Sequence, residues 1–206
     1  MITMALKLIT APTSEPLTLE EAKAHLRVDH DDEDTLIYAL IVAARQGAEH
    51  ITERALMTQT WELALDWFPC VPYRRVEWKH DRLLADAINI PKPPLVSIVS
   101  VKYIDTEGVQ QTLDSSAYLL DSHREPARIL SVYATDWPDT REQANAVLIR
   151  FTCGYADAAS VPQEIKQWML LQIGMMYENR ESVAAGTISE IPYVDRLLDP
   201  YRFWGA

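Results

Sequence analysis

Between residues 17 and 69 the spacing of apolar side chains changes character twice, and each change predicts an element. Leu19, Ala22 and Leu26 share one face of a short helix ending near Val28. Thr18 stands where an N-cap belongs, and Glu21 three residues later completes a capping box. A second helix is expected over 34–54. There Ile37, Leu40, Ile41, Ala44, Ala48 and Ile51 recur at three- and four-residue steps and build a continuous apolar stripe. Arg45, Glu49 and Glu53 fall off that stripe. At Thr60 the period drops from 3.6 to 2: Trp61, Leu63, Leu65 and Trp67 alternate with Glu62, Ala64 and Asp66 until Pro69 stops the strand.

Further strand-like runs are expected at 75–78, 87–90, 96–104, 110–113, 118–120, 127–131 and 147–155, with a turn at Asp105-Thr106-Glu107-Gly108. In the last run Val147, Ile149, Phe151 and Cys153 face one way. Pro12 and Pro16 keep the first residues extended. Helical spacing returns at Pro162, read as a first-turn proline, and continues to about residue 180. That helix is apolar around most of its circumference, so it must be covered on more than one side. Ile165, Met169, Ile173 and Met176 are assigned to the chain's own core with Ile37, Leu40, Ile41 and Ala44. Trp168, Leu171 and Met175 are assigned to a neighbouring subunit. Residues 182–187 read as a loop. The pattern predicts an α+β fold: a helical bundle from the N- and C-terminal parts (about 17–57 and 160–206), with an inserted, mostly antiparallel β-rich module (about 58–156), in one domain spanning 1–206.

Charge narrows the function classes. The chain has 206 residues and a net charge of −11, which opposes broad nucleic-acid binding, because phosphate contacts need clustered Lys and Arg. The one basic cluster is Arg74, Arg75, Lys79, His80 and Arg82, interleaved with Tyr73 and Trp78; its bland reading is a solvated strand and loop. Cys70 and Cys153 form no CxxC pair, which fits buried thiols of a reducing compartment. The first residues do not read as a signal peptide, and no run has the length of a membrane helix.

Candidate chemistry is sparse. Six glycines include no phosphate-binding loop, and neither GxSxG nor HExxH is present. His25, His30, His50, His80 and His123 have no ligand-like spacing. A Cys153–His123 dyad has nothing in the sequence to bring it together. The acids at 29–34 suggest a calcium loop, but its glycine and its final Glu are missing. They are expected instead to start the second helix, with Asp31 or Asp32 as its cap. No catalytic residue, metal or cofactor is predicted.

In this order, LTLEEAKAHLRV, then the 34–49 segment, ERALMTQTWELALDWFP, IPKPPLVSIVSVKYID, VLIRFTCGY, VPQEIKQWMLLQIGMMYENRE and LLDPYRFW resemble the head–tail connector (head-completion or adaptor) proteins of tailed phages. The β-rich middle is longer than in the shorter members of that family. The resemblance implies a structural virion or prophage protein that assembles as a ring, dodecameric in the virion. It implies the portal and tail-side junction proteins as partners, DNA only as non-specific passage through the channel, and no membrane. Assembly would occur in the host cytoplasm before incorporation at the head–tail junction. An acidic lumen suits that role, since it repels phosphate. Two other readings stay open: another ring component of the junction (stopper or tail terminator), and an enzyme with an unrecognised site in the β module. At the C-terminus, Tyr201, Arg202, Phe203 and Trp204 are hot-spot residue types. They either dock onto a partner or fold back on their own subunit.

Overall fold

A computed structural model describes residues 4–69, 86–133, 135–179 and 194–203. The strand expected at 75–78, the basic cluster, Cys70, the loop at 182–187 and Trp204 lie outside them. The fold is α+β and divides into two compact units. One comprises Met1–Ala11 and Gln59–Gly154, the other Pro12–Thr58 and Tyr155–Ala206.

The first unit is antiparallel sheet. Its five-stranded sheet has the order β1 (Met4–Thr10), β2 (Gln59–Leu65), β8 (Val147–Cys153), β4 (Leu95–Ile104), β5 (Gln110–Leu113). A second sheet of three strands runs β3 (Ile88–Asn89), β7 (Arg128–Ser131), β6 (Tyr118–Asp121). β8 is central because its alternation is the cleanest in the chain. Val147, Ile149, Phe151 and Cys153 are buried, and their register partners Leu65, Leu63, Trp61 and Gln59 lie on the same face. On the opposite face, Arg150 donates from Nε and Nη2 to Glu62 Oε2 at 3.1 and 2.7 Å, a cross-strand charge pair in register. Phe68 stacks on Trp137 at 4.9 Å and meets Tyr103 edge-on at 5.8 Å. The Trp137 indole N–H is satisfied by the Asp86 carbonyl at 3.0 Å.

One strand was not expected. Residues 4–10 form β1, antiparallel to β2 from Met4↔Leu65 to Thr10↔Thr60. MALKLIT has too little polar alternation to announce a strand. Its partner lies some fifty residues downstream, so only tertiary pairing reveals it.

The second unit is helical, built from α1 (Leu19–Leu26), α2 (Asp34–Thr52) and α3 (Gln163–Glu178). The capping box of α1 is present: Glu21 N–H donates to Thr18 Oγ1 at 3.1 Å, and Thr18 N–H donates to Glu21 Oε2 at 2.8 Å. Pro162 occupies the N-cap of α3 rather than its first turn. The expected cap of α2 is corrected. Glu33 holds that position and makes no side-chain cap bond, while Asp31 reaches back to Lys23. Lys23 Nζ lies 2.6 Å from Asp31 Oδ1 and 2.7 Å from Asp34 Oδ1. Those hydrogen bonds raise the lysine's pKa, and the bond to Lys23 holds the Asp31 carboxyl below its ordinary range. A lysine tether on α1 therefore takes the place of a cap on α2.

The core of this unit joins Ile37, Ile41, Ala44 and Ala48 of α2 to Ile165, Trp168, Met169 and Ile173 of α3, with Leu17, Ala22, Leu56, Val161 and Leu198 around them. At its margin sits a buried charge cluster. Arg45 Nε donates to Glu15 Oε2 at 2.7 Å, and Nη1 donates to Glu49 Oε2 at 2.8 Å. The remaining oxygen of Glu49, Oε1, accepts the Leu56 N–H at 2.9 Å. Arg45, Glu15 and Glu49 side chains are 7, 9 and 13% exposed, so removing the cation strands two desolvated carboxylates. Arg45→Ala is expected to destabilise the helical unit by about 3 kcal/mol in urea unfolding followed by circular dichroism. A loss no larger than that of an exposed ion pair would show that the cluster is solvated.

Candidate assembly surfaces

α3 was expected to offer Trp168, Leu171 and Met175 outward, and the structure divides them. Trp168 is corrected: it is 4% exposed and belongs to its own unit's core. Position 168 follows Ile165 by three residues and so lies on the inward stripe. Its ring fits over Gly47 of α2, where an added Cβ would sit 3.4 Å from Cη2. Its indole N–H donates to Asp195 Oδ1 at 3.0 Å. Leu171 is half-buried and Met175 is 49% exposed. With exposed Gln167 and Glu178 above and below them, these two form the outward stripe of the helix. Ile165, Met169 and Ile173 are fully buried, and Met176 is half-buried against the same cluster.

The C-terminal residues fold back on the helical unit. Two 3-10 turns, Asp195–Leu197 and Asp199–Tyr201, place Leu198 in the core at 0% exposure. The Tyr201 hydroxyl donates to Glu164 Oε2 at 2.9 Å, and Arg54 Nε donates to the Tyr201 carbonyl at 2.8 Å. Glu164 accepts from its own backbone N–H at the start of α3 and from Tyr201, and both bonds hold its carboxyl below the usual range. Burial, and then the Glu164 carboxylate, push the Tyr201 phenol up. Phe203 N–H donates to the Thr52 carbonyl at 3.3 Å. The Arg202 guanidinium lies 3.5 Å from Asp199 Oδ1. Tyr201 and Arg202 are half-buried, while the Phe203 side chain is 39% exposed.

The sheet unit offers no reacting constellation among the described residues. Cys153 is fully buried in β8, its thiol 3.8 Å from the Gln59 carbonyl oxygen. His123 follows β6 of the other sheet, where its backbone N–H donates to Asp121. A wide cleft of about 470 Å³ is lined by Asp66, Trp67, Thr140, Arg141 and Glu142. Asp66 is already engaged there, accepting the Asn145 N–H at 3.0 Å. Among the described residues no group of His, Cys, Asp or Glu is arranged to hold a metal ion, and no helix is long and apolar enough to cross a membrane. What the chain displays instead is apolar surface at element edges. Met4, Leu8 and Ile9 are exposed on β1, Val96 and Val99 on β4, Leu119 and Leu120 on β6, and Met175 on α3. Sequence periodicity located the Met175 position. It missed β1 and the buried Arg45 cluster, although the Arg45/Glu49 four-residue spacing was visible.

Comparisons with known proteins agree with a protein built for contact. The family model described as phage gp6-like head-tail connector protein matches residues 16–123, just over half of the chain. A comparison with curated proteins gives no match. Among solved structures, a chain from the virion of the native gene transfer agent (GTA) particle is 24% identical over 98% of this chain and 96% of that one, with a TM-score of 0.75. Chains from the neck of the empty GTA particle (C6 symmetry) and of the native particle (C12 symmetry) are also 24% identical. Each covers 98% of this chain and 97% of its own length, with TM-scores of 0.74 and 0.70. The likeness in fold thus extends across both units, well beyond the segment that the family model matches. The chain belongs to the phage gp6-like head–tail connector family, and is a structural protein of the virion head–tail junction.

Proposed function

We propose that copies of this chain assemble into a homo-oligomeric ring beneath the portal, joining it to tail-side junction proteins, and that the genome passes through the channel without any reaction being catalysed. Assembly takes place in the host cytoplasm and the ring is retained in the virion. Membership of the connector family carries this reading. The cyclic symmetry with which the similar GTA necks were computed supports a ring. The charge of −11 supports passage rather than capture of DNA, since an acidic wall repels phosphate and leaves no counterion-release gain.

The outward stripe of α3 is assigned to the neighbouring subunit, with Leu171 and Met175 as its apolar centre. Leu171→Glu combined with Met175→Glu is expected to weaken ring formation at least roughly tenfold, equivalent to about 1.4 kcal/mol, in native mass spectrometry with and without portal protein. The monomer's melting temperature should stay close to wild type, because Met175 is half exposed. Unchanged assembly would remove α3 from the interface. A wild-type chain that stays monomeric even with portal would overturn the ring itself.

The tail is assigned two parts. Leu198 and Tyr201 hold it to its own unit, and the exposed Phe203 ring is left for a partner. Deleting 200–206 removes the Tyr201–Glu164 and Arg54–Tyr201 bonds, so the monomer should melt several degrees lower, read by differential scanning calorimetry. Phe203→Ala should leave that temperature unchanged and reduce portal binding. If the deletion leaves the melting temperature unchanged, the fold-back contacts contribute nothing in solution.

A further inference from the structure

β1 is an edge strand that the described residues of its unit leave bare. Six of its seven residues are exposed, with Met4 at 65%, Leu8 at 41% and Ile9 at 37%. Among the described residues only β2 pairs with it, so its outer row of N–H and C=O groups is open. Edge strands of soluble proteins are normally blunted by charge, proline or bulges, because an open apolar edge invites another strand. β1 carries a single charge, Lys7, and its register is regular from Met4 to Leu8, with its one bulge beyond that, between Leu8 and Thr10. An edge of this kind calls for cover.

The opposite end of the same sheet supplies a matching edge. β4 is paired with β5 only from Val101 to Ile104, so its first half is also open. That half is interrupted by register shifts between Leu95 and Ser97 and between Ile98 and Ser100, which leave Val96 and Val99 exposed and spoil it as a template. β5 is regular across all four of its pairs, and Gln110, Gln111 and Thr112 are exposed.

Charge distinguishes the two ends. The first fourteen residues contain Lys7 and no acid, in a chain with thirty acids. The β4–β5 hairpin and its exit carry Asp105, Glu107 and Asp114 against one base, Lys102. Asp105 accepts from Gln111 Nε2 and from the backbone N–H groups of Glu107 and Val109, while Asp114 accepts from Ser116 N–H. These bonds hold both carboxyls below their ordinary range and keep them anionic. Lys7 is itself in register with Glu62, and Arg141 lies against Gly108 at the hairpin turn, so the difference is one of net sign and not of a single ion pair.

The geometry points to a head-to-tail contact in which β1 of one copy pairs with β5 of the next copy, so that the five-stranded sheet continues from subunit to subunit. This rests on the ring reading above and adds to the α3 contact. A cyclic ring requires two different, complementary surfaces on each copy, and the two ends of one sheet meet that requirement. Pairing between two β1 strands would instead close a two-fold dimer.

Cysteine cross-linking tests the contact in the full chain. Leu8→Cys and Thr112→Cys, singly and combined, each in a Cys70→Ser background, are oxidised at concentrations where native mass spectrometry shows rings of the Cys70→Ser chain. The double variant should give a ladder of covalent oligomers, a mixture of the two single variants should give covalent dimers only, and each single variant alone should remain unlinked. Leu8→Lys, which places a second charge on the edge, should reduce ring formation at least tenfold while the monomer's melting temperature holds. Rings that form normally in Leu8→Lys and do not link in the double variant would overturn this contact and leave the ring reading standing. Covalent dimers from Leu8→Cys alone would overturn it in favour of a two-fold β1 pair. Absence of wild-type rings under every condition, portal included, would overturn both.

Discussion

The packing of α2 against α3 is the constraint on which the helical unit depends. The two helices are more than a hundred residues apart in sequence, and each buries its apolar stripe against the other. Once Ile37, Ile41 and Ala44 meet Ile165, Met169 and Ile173, everything between the helices must leave the helical unit and return to it. The 59–154 part of the sheet unit lies between these two helices in sequence, and β1 joins it from the N-terminal side. Trp168 links the parts: its ring packs beside Gly47 of α2, and its N–H donates to Asp195, which brings the C-terminal turns with it. One tryptophan therefore couples helix packing to the placement of the tail.

Polar anchoring follows the same economy. Lys23 ties α1 to the start of α2, Arg45 binds Glu15 and Glu49 at the core margin, and Arg54 holds the tail through the Tyr201 carbonyl. Each is a cation that joins separate segments of the chain through charge-assisted hydrogen bonds. In a chain with nineteen Lys and Arg against thirty Asp and Glu, these pairings still leave acids in excess.

Much of this was legible in sequence because it is periodic. The stripe of α2, the capping box of α1, the alternation of β2 and β8 and the turn at 105–108 follow from local chemistry, and the strands lie within a few residues of their expected places. What was not legible depends on distant partners. β1 is a strand only because β2 is beside it. Asp31 abandons its capping role because Lys23 is within reach. Trp168 joins the inward stripe of Ile165, and the core it meets there comes from α2. The exposed apolar surfaces were legible only as surplus apolar residues: Met175 remained outward, whereas the exposed face of β1 could not be known before the sheet order was.

Cryo-electron microscopy of particles carrying this protein addresses the central claim most directly. The expected result is a ring of copies of this fold between head and tail, with their α3 stripes at subunit boundaries and a channel wide enough for duplex DNA. Particles with complete head–tail junctions lacking this chain, or holding it as isolated copies away from the channel, would contradict it.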